Sequence, residues 1–375
     1  MTTFNTLRNR ADPVRRDRFR GCLLAGAAGD ALGAAVEFDS RRKILQRFGA
    51  GGIRDFGPAY GRFGAITDDT QMTLFTAEGL LRAYVRWTGK GICHTPGVIA
   101  HAYQRWLATQ EPLDARHAVS LDGWLIGQRP LHQQRAPGRT CLTALRTMAQ
   151  RGEPADNDSK GCGGVMRVAP IGLFGSHGML PGKAGQPGSG AFELAVEAAA
   201  LTHGHRSGQL PAGLLAAIIE LLIHDASLPD AIDAGLALLA GCEQHEETTT
   251  IVRLACELAR QPSPPSGGIP QELGEGWVAE EALAIALYAA LVAPDLESAV
   301  ILAVNHDGDS DSTGAIAGNL LGARHGTAAI PQRWLLDLEL RDVITDIADD
   351  LAAAPHWALD AGAEWKLVSS HYPGH

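Results

Sequence analysis

The sequence predicts an all-α protein, one large array of packed helices wider than a bundle of four, and three observations carry that prediction. Apolar residues recur at the three- and four-residue spacing of a buried helix face, as with Leu214, Leu215, Ile218, Ile219 and Leu222 in PAGLLAAIIELLIHD and Leu283, Ile285, Leu287 and Leu291 in VAEEALAIALYAAL. Apolar and polar residues hardly anywhere alternate at the strand period. The 375 residues, 45% of them hydrophobic, also suffice for a substantial core.

In chain order, the first element is RFRGCLLAGAAGDALGAAVEF, a small-residue helix over 21–35. Its Gly26, Gly29 and Gly33, three and four apart, let a neighbouring backbone approach closely, and helix packing is the role assigned to them. Ahead of it, residues 1–17 carry Arg8, Arg10, Arg15 and Arg16, interrupted by Asp12 and Asp17, and lack the apolar middle of a secretory signal. They are set apart as a flexible leader or lid on a domain spanning 18–375. ITDDTQMTLFTAEGLL starts a helix at Thr67 or Asp68, with Met72, Phe75, Leu80 and Leu81 on its apolar face. Further helices are expected in FELAVEAAALTH, PAGLLAAIIELLIHD with Pro211 in its first turn, PDAIDAGLALLAGC, TIVRLACELAR, VAEEALAIALYAAL, LESAVILAV and WLLDLELRDVITDIADDLAA. Trp334, Trp357, Trp365 and Tyr372 are assigned to core packing. Long irregular stretches intervene at 38–66, 112–138, 152–163, 174–190 and 261–276, and loops of that length in a compact domain are usually functional or disordered. Only 261–276 has a linker's composition, and it is taken as a surface loop.

Lys+Arg 32 against Asp+Glu 42 leaves a net charge of -10, which argues against nucleic acid or an anionic membrane as a partner held by overall charge. The six cysteines are scattered, with no CxxC pair, and so frame neither disulfides nor a zinc site. No apolar run is expected to reach the length of a membrane span. These features lead us to expect a cytoplasmic chain, and a monomer is expected as well.

Two acidic clusters carry the chemistry. Thr67, Asp68 and Asp69 stand at a helix start, where a cap and the helix dipole alone explain a hydroxyl and carboxylates. In NHDGDSDSTGAIAGNLLGA, Asp307, Asp309 and Asp311 alternate ahead of Ser312 and Thr313, and three carboxylates that close repel unless a cation or several donors compensate them. An EF-hand is rejected, because its sixth position would be Ser312 rather than Gly and its twelfth Gly318 rather than Glu. Neither cluster completes an octahedral shell; together they would supply the oxygen donors for two Mg²⁺ or Mn²⁺ ions roughly 3.5–4 Å apart. Glu37 follows a small, apolar run and is either a partly buried acid or a helix-end surface residue. RAPGRT (135–140) and SKGCGGVMR (159–167) are glycine-containing loops able to present backbone N–H groups to phosphate, though neither is a P-loop. His203 and His205 lack zinc partners, and one pocket-lining imidazole is expected.

These segments, with LTHGHRSG and VAEEALAIAL, occur in an order that resembles the ADP-ribosylglycohydrolase family over roughly 18–326. The resemblance implies a single orthogonal all-α helical domain, a binuclear Mg²⁺ or Mn²⁺ centre, and hydrolysis of an ADP-ribosyl bond at the anomeric carbon. Carried over by motif, Thr67, Asp68 and Asp69 form one side of the metal centre and Asp309, Asp311 and Ser312 the other, with Asp311 bridging and Ser312 replacing the Thr often found there. Asp307 is assigned a supporting role behind the ligands. Glu37, Asp69 and Asp311 are the candidate catalytic carboxylates. Gly138, Arg139 and Thr140 are expected along the diphosphate, Ser159, Gly161, Cys162 and Gly163 around the ribose, and His203 nearby; Cys162 stands where several relatives have Asn. The implied partner is an ADP-ribosylated protein, with arginine the favoured linkage over serine. The alternative is an immunity protein that neutralises an ADP-ribosyltransferase toxin by reversing its modification or by occluding it through the basic leader.

Overall fold

A computed structural model describes residues 3–113, 119–261, 268–360 and 362–375. Parts of the irregular stretches 112–138 and 261–276, and the first two residues of the leader, lie outside the described residues. Among the described residues there are seventeen α-helices and no strand. Apolar side chains from most of these helices meet in one large core, and a small second cluster forms around Ala255, Leu273 and Tyr288.

Two helices at the centre determine where the site lies. Pro13–Gly33 starts at Asp12, whose side chain accepts the Arg15 N–H, and has Pro13 in its first turn. It runs antiparallel to Ser310–His325 at a separation only glycine permits. A Cβ at Gly29 would lie 2.1 Å from Gly314 O, one at Gly318 2.1 Å from Ala25 O, and one at Gly322 2.1 Å from Gly21 O. Asn319 Nδ2 donates to Cys22 O at 2.8 Å across the same seam. Antiparallel packing brings the C-terminal end of the first helix, with Asp30 and the Glu37 turn, beside the N-terminal end of the second, with Asp309, Asp311 and Ser312. A third helix, Asp68–Lys90, brings its N-terminus to the same place and is held behind by Glu78, a buried carboxylate paired with both Arg82 and Arg105.

The structure revises several expectations. The described part of 1–17 is docked, not free: Phe4–Arg8 is a helix, Leu7 is fully buried, and Arg8 pairs with Asp346 and with the buried Asp350, which also accepts the Tyr372 hydroxyl. Arg8 and Arg10 find carboxylates on the C-terminal helices, Arg15 donates to Ser176 O, and Pro13–Gly33 runs straight through the 17/18 boundary. The stretch 38–66 holds the helix Arg41–Phe48, capped by Ser40 and ended at Gly49, which has φ 85°. Thr95–Gln110 and Ala363–His371 are further helices the apolar spacing did not disclose. WLLDLELRDVITDIADDLAA is two helices, Gln332–Asp337 and Arg341–Ala353, broken where Leu340 takes φ 56°. Residues 206–223 do reach the length and mean hydropathy of a span, but 83% of that stretch is buried within the fold, as in a core helix.

Candidate active site

Asp30 organises the site, and the sequence reading passed over it. Fully buried on the helix Pro13–Gly33, it accepts the Thr67 N–H with both oxygens at 3.0 Å, the Thr70 N–H at 3.1 Å and the Thr70 hydroxyl. It thereby anchors the N-terminus of Asp68–Lys90 to the glycine seam. Thr67 is the cap of that helix, its Oγ1 accepting the Asp69 N–H at 3.3 Å. Asp68 is pinned from the other side: its N–H donates to Arg135 O at 3.1 Å and its Oδ2 accepts the Gly138 N–H at 3.3 Å. On the facing helix Asp309 is the cap, and Ser312 N–H donates to Asp311 Oδ1 at 2.9 Å.

The two acidic clusters meet. Asp30, Asp68, Asp69, Asp309 and Asp311 are all buried, and Glu37 closes over them at 7% exposure. Burial first, and then the charges of Asp311, Asp309, Asp68 and Asp30, push the Glu37 carboxyl up to about 11. Burial and Asp311 raise Asp30 to about 7, and the same two causes lift Asp68, Asp69 and Asp309 well above the carboxylate range. No three His, Cys, Asp or Glu side chains among the described residues are drawn in around one point as a finished ligand set. Asp69 Oδ1 and Glu37 Oε2 are nevertheless buried with no hydrogen-bond partner. Unpaired acceptors in a wall of mutually repelling carboxylates, flanked by the Thr67 and Ser312 hydroxyls, fit hard divalent cations, whose charge relieves the repulsion. The N-termini of two helices pointing at the cluster add to its hold on negative charge.

The loops expected to bind substrate line the same centre. Gly138 and Arg139 are exposed at the start of the helix Arg139–Thr147, and Thr140 Oγ1 lies 3.0 Å from Ser159 Oγ. Gly161 pairs with Val278, and Cys162 N–H donates to Trp277 O at 3.2 Å, which lays the loop beside Asp309. Cys162 Sγ donates to Asp309 Oδ2 at 2.7 Å. His203 is buried beneath: a Cβ on Gly163 would sit 3.2 Å from its ring and one on Gly161 3.4 Å. Burial and the Arg167 charge lower its pKa to about 3, so it is neutral. His205 only closes a turn by accepting the Ser207 N–H. Asp307 stands apart from the cluster: it is exposed and accepts the Arg41 N–H at the start of Arg41–Phe48.

Three further features escaped the sequence. Arg135 is buried and bidentate with Glu339, whose Oε2 also accepts the Ile66 N–H at 3.2 Å, fixing the approach to Thr67. Tyr60, at φ 50°, lies with its ring under the Arg135 guanidinium; burial and the charges of Glu37 and Asp311 raise its phenol, placing it at the cluster's edge. Phe38, 73% exposed, stacks on Trp277 at 6.2 Å between centroids at the rim. None of the three signals was available beforehand, because the partners are distant in the chain.

A family model described as ADP-ribosylglycohydrolase matches residues 11–359. The ADP-ribosyl-[dinitrogen reductase] glycohydrolase of Rhodospirillum rubrum is 26% identical over 88% of this chain and 92% of its own length. ADP-ribosylarginine hydrolase Tri1 of Pseudomonas putida is 26% identical over 89% of this chain and 78% of its own. Among solved structures, an ADP-ribosylglycohydrolase-related protein complex is 28% identical, with a TM-score of 0.63 over 91% of this chain and 98% of that one.

Proposed function

We propose that this chain, which belongs to the ADP-ribosylglycohydrolase family and hydrolyses the N-glycosidic bond that joins ADP-ribose to its acceptor, releases ADP-ribose from modified arginine side chains of proteins with a binuclear Mg²⁺ or Mn²⁺ centre. The observation that carries the reading is the meeting of two acidic helix starts around unpaired buried carboxylate oxygens, beside the glycine-containing loops 135–140 and 159–167. The arginine linkage is supported by the name of the Pseudomonas putida relative.

Thr67, Asp68 and Asp69 would hold the ions from one side and Asp309, Asp311 and Ser312 from the other, with Asp311 between them. When bound, such a pair supplies Lewis acidity toward ribose hydroxyls and water. Gly138, Arg139 and Thr140 hold the diphosphate, and Ser159, Gly161, Cys162 and Gly163 enclose the ribose over His203. Asp30 keeps the Thr67 end in register with the facing helix. Glu37, Asp69 or Asp311 takes the proton of the attacking water, which for Glu37 requires that bound cations offset the carboxylate charges holding it protonated. Glu37 is buried beside the aspartate cluster with an oxygen unpaired.

The occluding-partner reading depended on a free basic leader. With Arg8 paired to a buried aspartate and Leu7 in the core, no observation favours it. Metal content and ADP-ribose release measured together on Asp311→Ala test the proposal: loss of both is expected, and full activity with full metal content overturns the binuclear reading.

A further inference from the structure

We propose that Cys162 gives this oxygen-donor centre a sulfur arm, so that a thiophilic divalent cation, Zn²⁺ or Cd²⁺, is held through Cys162 Sγ with Asp309 and Asp69 and competes with the oxygen-preferring ion used in hydrolysis. The inference rests on the metal-dependent reading above. Of the six cysteines, Cys162 alone among the described residues hydrogen-bonds a carboxylate, its Sγ lying 2.7 Å from Asp309 Oδ2. Burial, and after it the charges of Asp309 and Asp69, raise this thiol well above its usual pKa, so its proton leaves only in exchange for a bound cation. Asp69 is 3% exposed, and its Oδ1 has no hydrogen-bond partner. The sulfur is also held in place, because the Cys162 N–H donates to Trp277 O while its carbonyl accepts the Val165 and Met166 N–H groups.

Soft thiolate selects zinc-like ions, whereas Mg²⁺ keeps an all-oxygen shell. Binding therefore replaces the S–H bond with a sulfur–metal bond and releases one proton to solvent. No oxidation is involved.

The test titrates the full chain, stripped with EDTA, with Cd²⁺ while following the ultraviolet sulfur-to-cadmium charge-transfer band, and measures Mn²⁺ binding in parallel. Wild type, Cys162→Ser, Cys162→Asn and the control Cys93→Ser are compared. The band is expected in wild type and Cys93→Ser and absent from both Cys162 variants, with Cd²⁺ affinity falling by more than the roughly 100-fold that losing a partner behind the ligands costs and Mn²⁺ affinity unchanged. A band that persists in the Cys162 variants, or is missing from a wild type that binds Mn²⁺, overturns the inference and leaves the hydrolase reading standing. Loss of Mn²⁺ binding in both Cys162 variants makes the residue structural and also overturns it. A wild type that binds neither ion overturns both.

Discussion

Gly29→Ala is predicted to part the two helices that carry the site. A Cβ there would stand 2.1 Å from Gly314 O and 2.4 Å from Gly314 C. Both are backbone atoms, so no side chain can swing aside. Since such contacts do not fall below 3.0 Å, the helices must separate by about 0.9 Å at this level. Overpacking of this kind costs about 1–3 kcal/mol. Asp311 lies less than one turn from Gly314, and Asp30 is the next residue after Gly29, so the displacement passes directly into the carboxylate cluster. A misplacement of about 1 Å costs a catalytic site about 10²-fold in rate. The assay is urea unfolding together with kcat/KM for ADP-ribose release in Mn²⁺, with Gly51→Ala as the control because a Cβ there meets nothing nearer than Arg54 Cδ at 3.6 Å. If Gly29→Ala unfolds within about 0.5 kcal/mol of wild type and turns over at the Gly51→Ala rate, the seam does not set the site and the reasoning fails.

Glu37→Gln should lower turnover about 10²–10⁴-fold while metal content stays at the wild-type level; unchanged turnover would remove Glu37 from the proton path. Arg8→Ala should cost about 3–5 kcal/mol in urea unfolding, because it strands the buried Asp350, and should leave Mn²⁺ affinity unaltered; a neutral result would restore a loosely attached leader. In metal-free protein, Asp30 titrates at about 7 instead of 3.8. The folded state thus holds that proton more tightly than the unfolded chain, and this contribution, complete below the unfolded value, is lost as pH rises through 7. Added Mn²⁺ competes with such protons and should raise the melting temperature more at pH 8 than at pH 6; an equal or reversed shift would contradict the raised carboxyls.

Much of this was legible in the sequence because its causes are local. Apolar spacing disclosed the core helices, and each acidic cluster declared itself as a helix start with oxygen donors in one short run. The small-residue spacing of Gly26, Gly29 and Gly33 disclosed close packing, but only the fold shows that its partner is Ser310–His325. What was missed depends on distant partners. Asp30 reads as one carboxylate in an apolar helix until Thr67 and Thr70 are placed on it, Arg135 reads as a loop arginine until Glu339 reaches it, and Tyr60 gains its meaning from Glu37. The docking of residues 3–17 was hidden for the same reason, since the carboxylates that hold Arg8 and Arg10 lie more than three hundred residues away. The break at Leu340 was hidden by an apolar pattern that continues across it.

The most direct measurement is release of ADP-ribose from an arginine-ADP-ribosylated protein, with Mg²⁺, Mn²⁺ or EDTA, beside a serine-linked substrate. The account predicts release from arginine that requires the divalent ion and stops in EDTA. Release from serine but not arginine would contradict the proposed linkage, and release from arginine that persists in EDTA would contradict the metal centre.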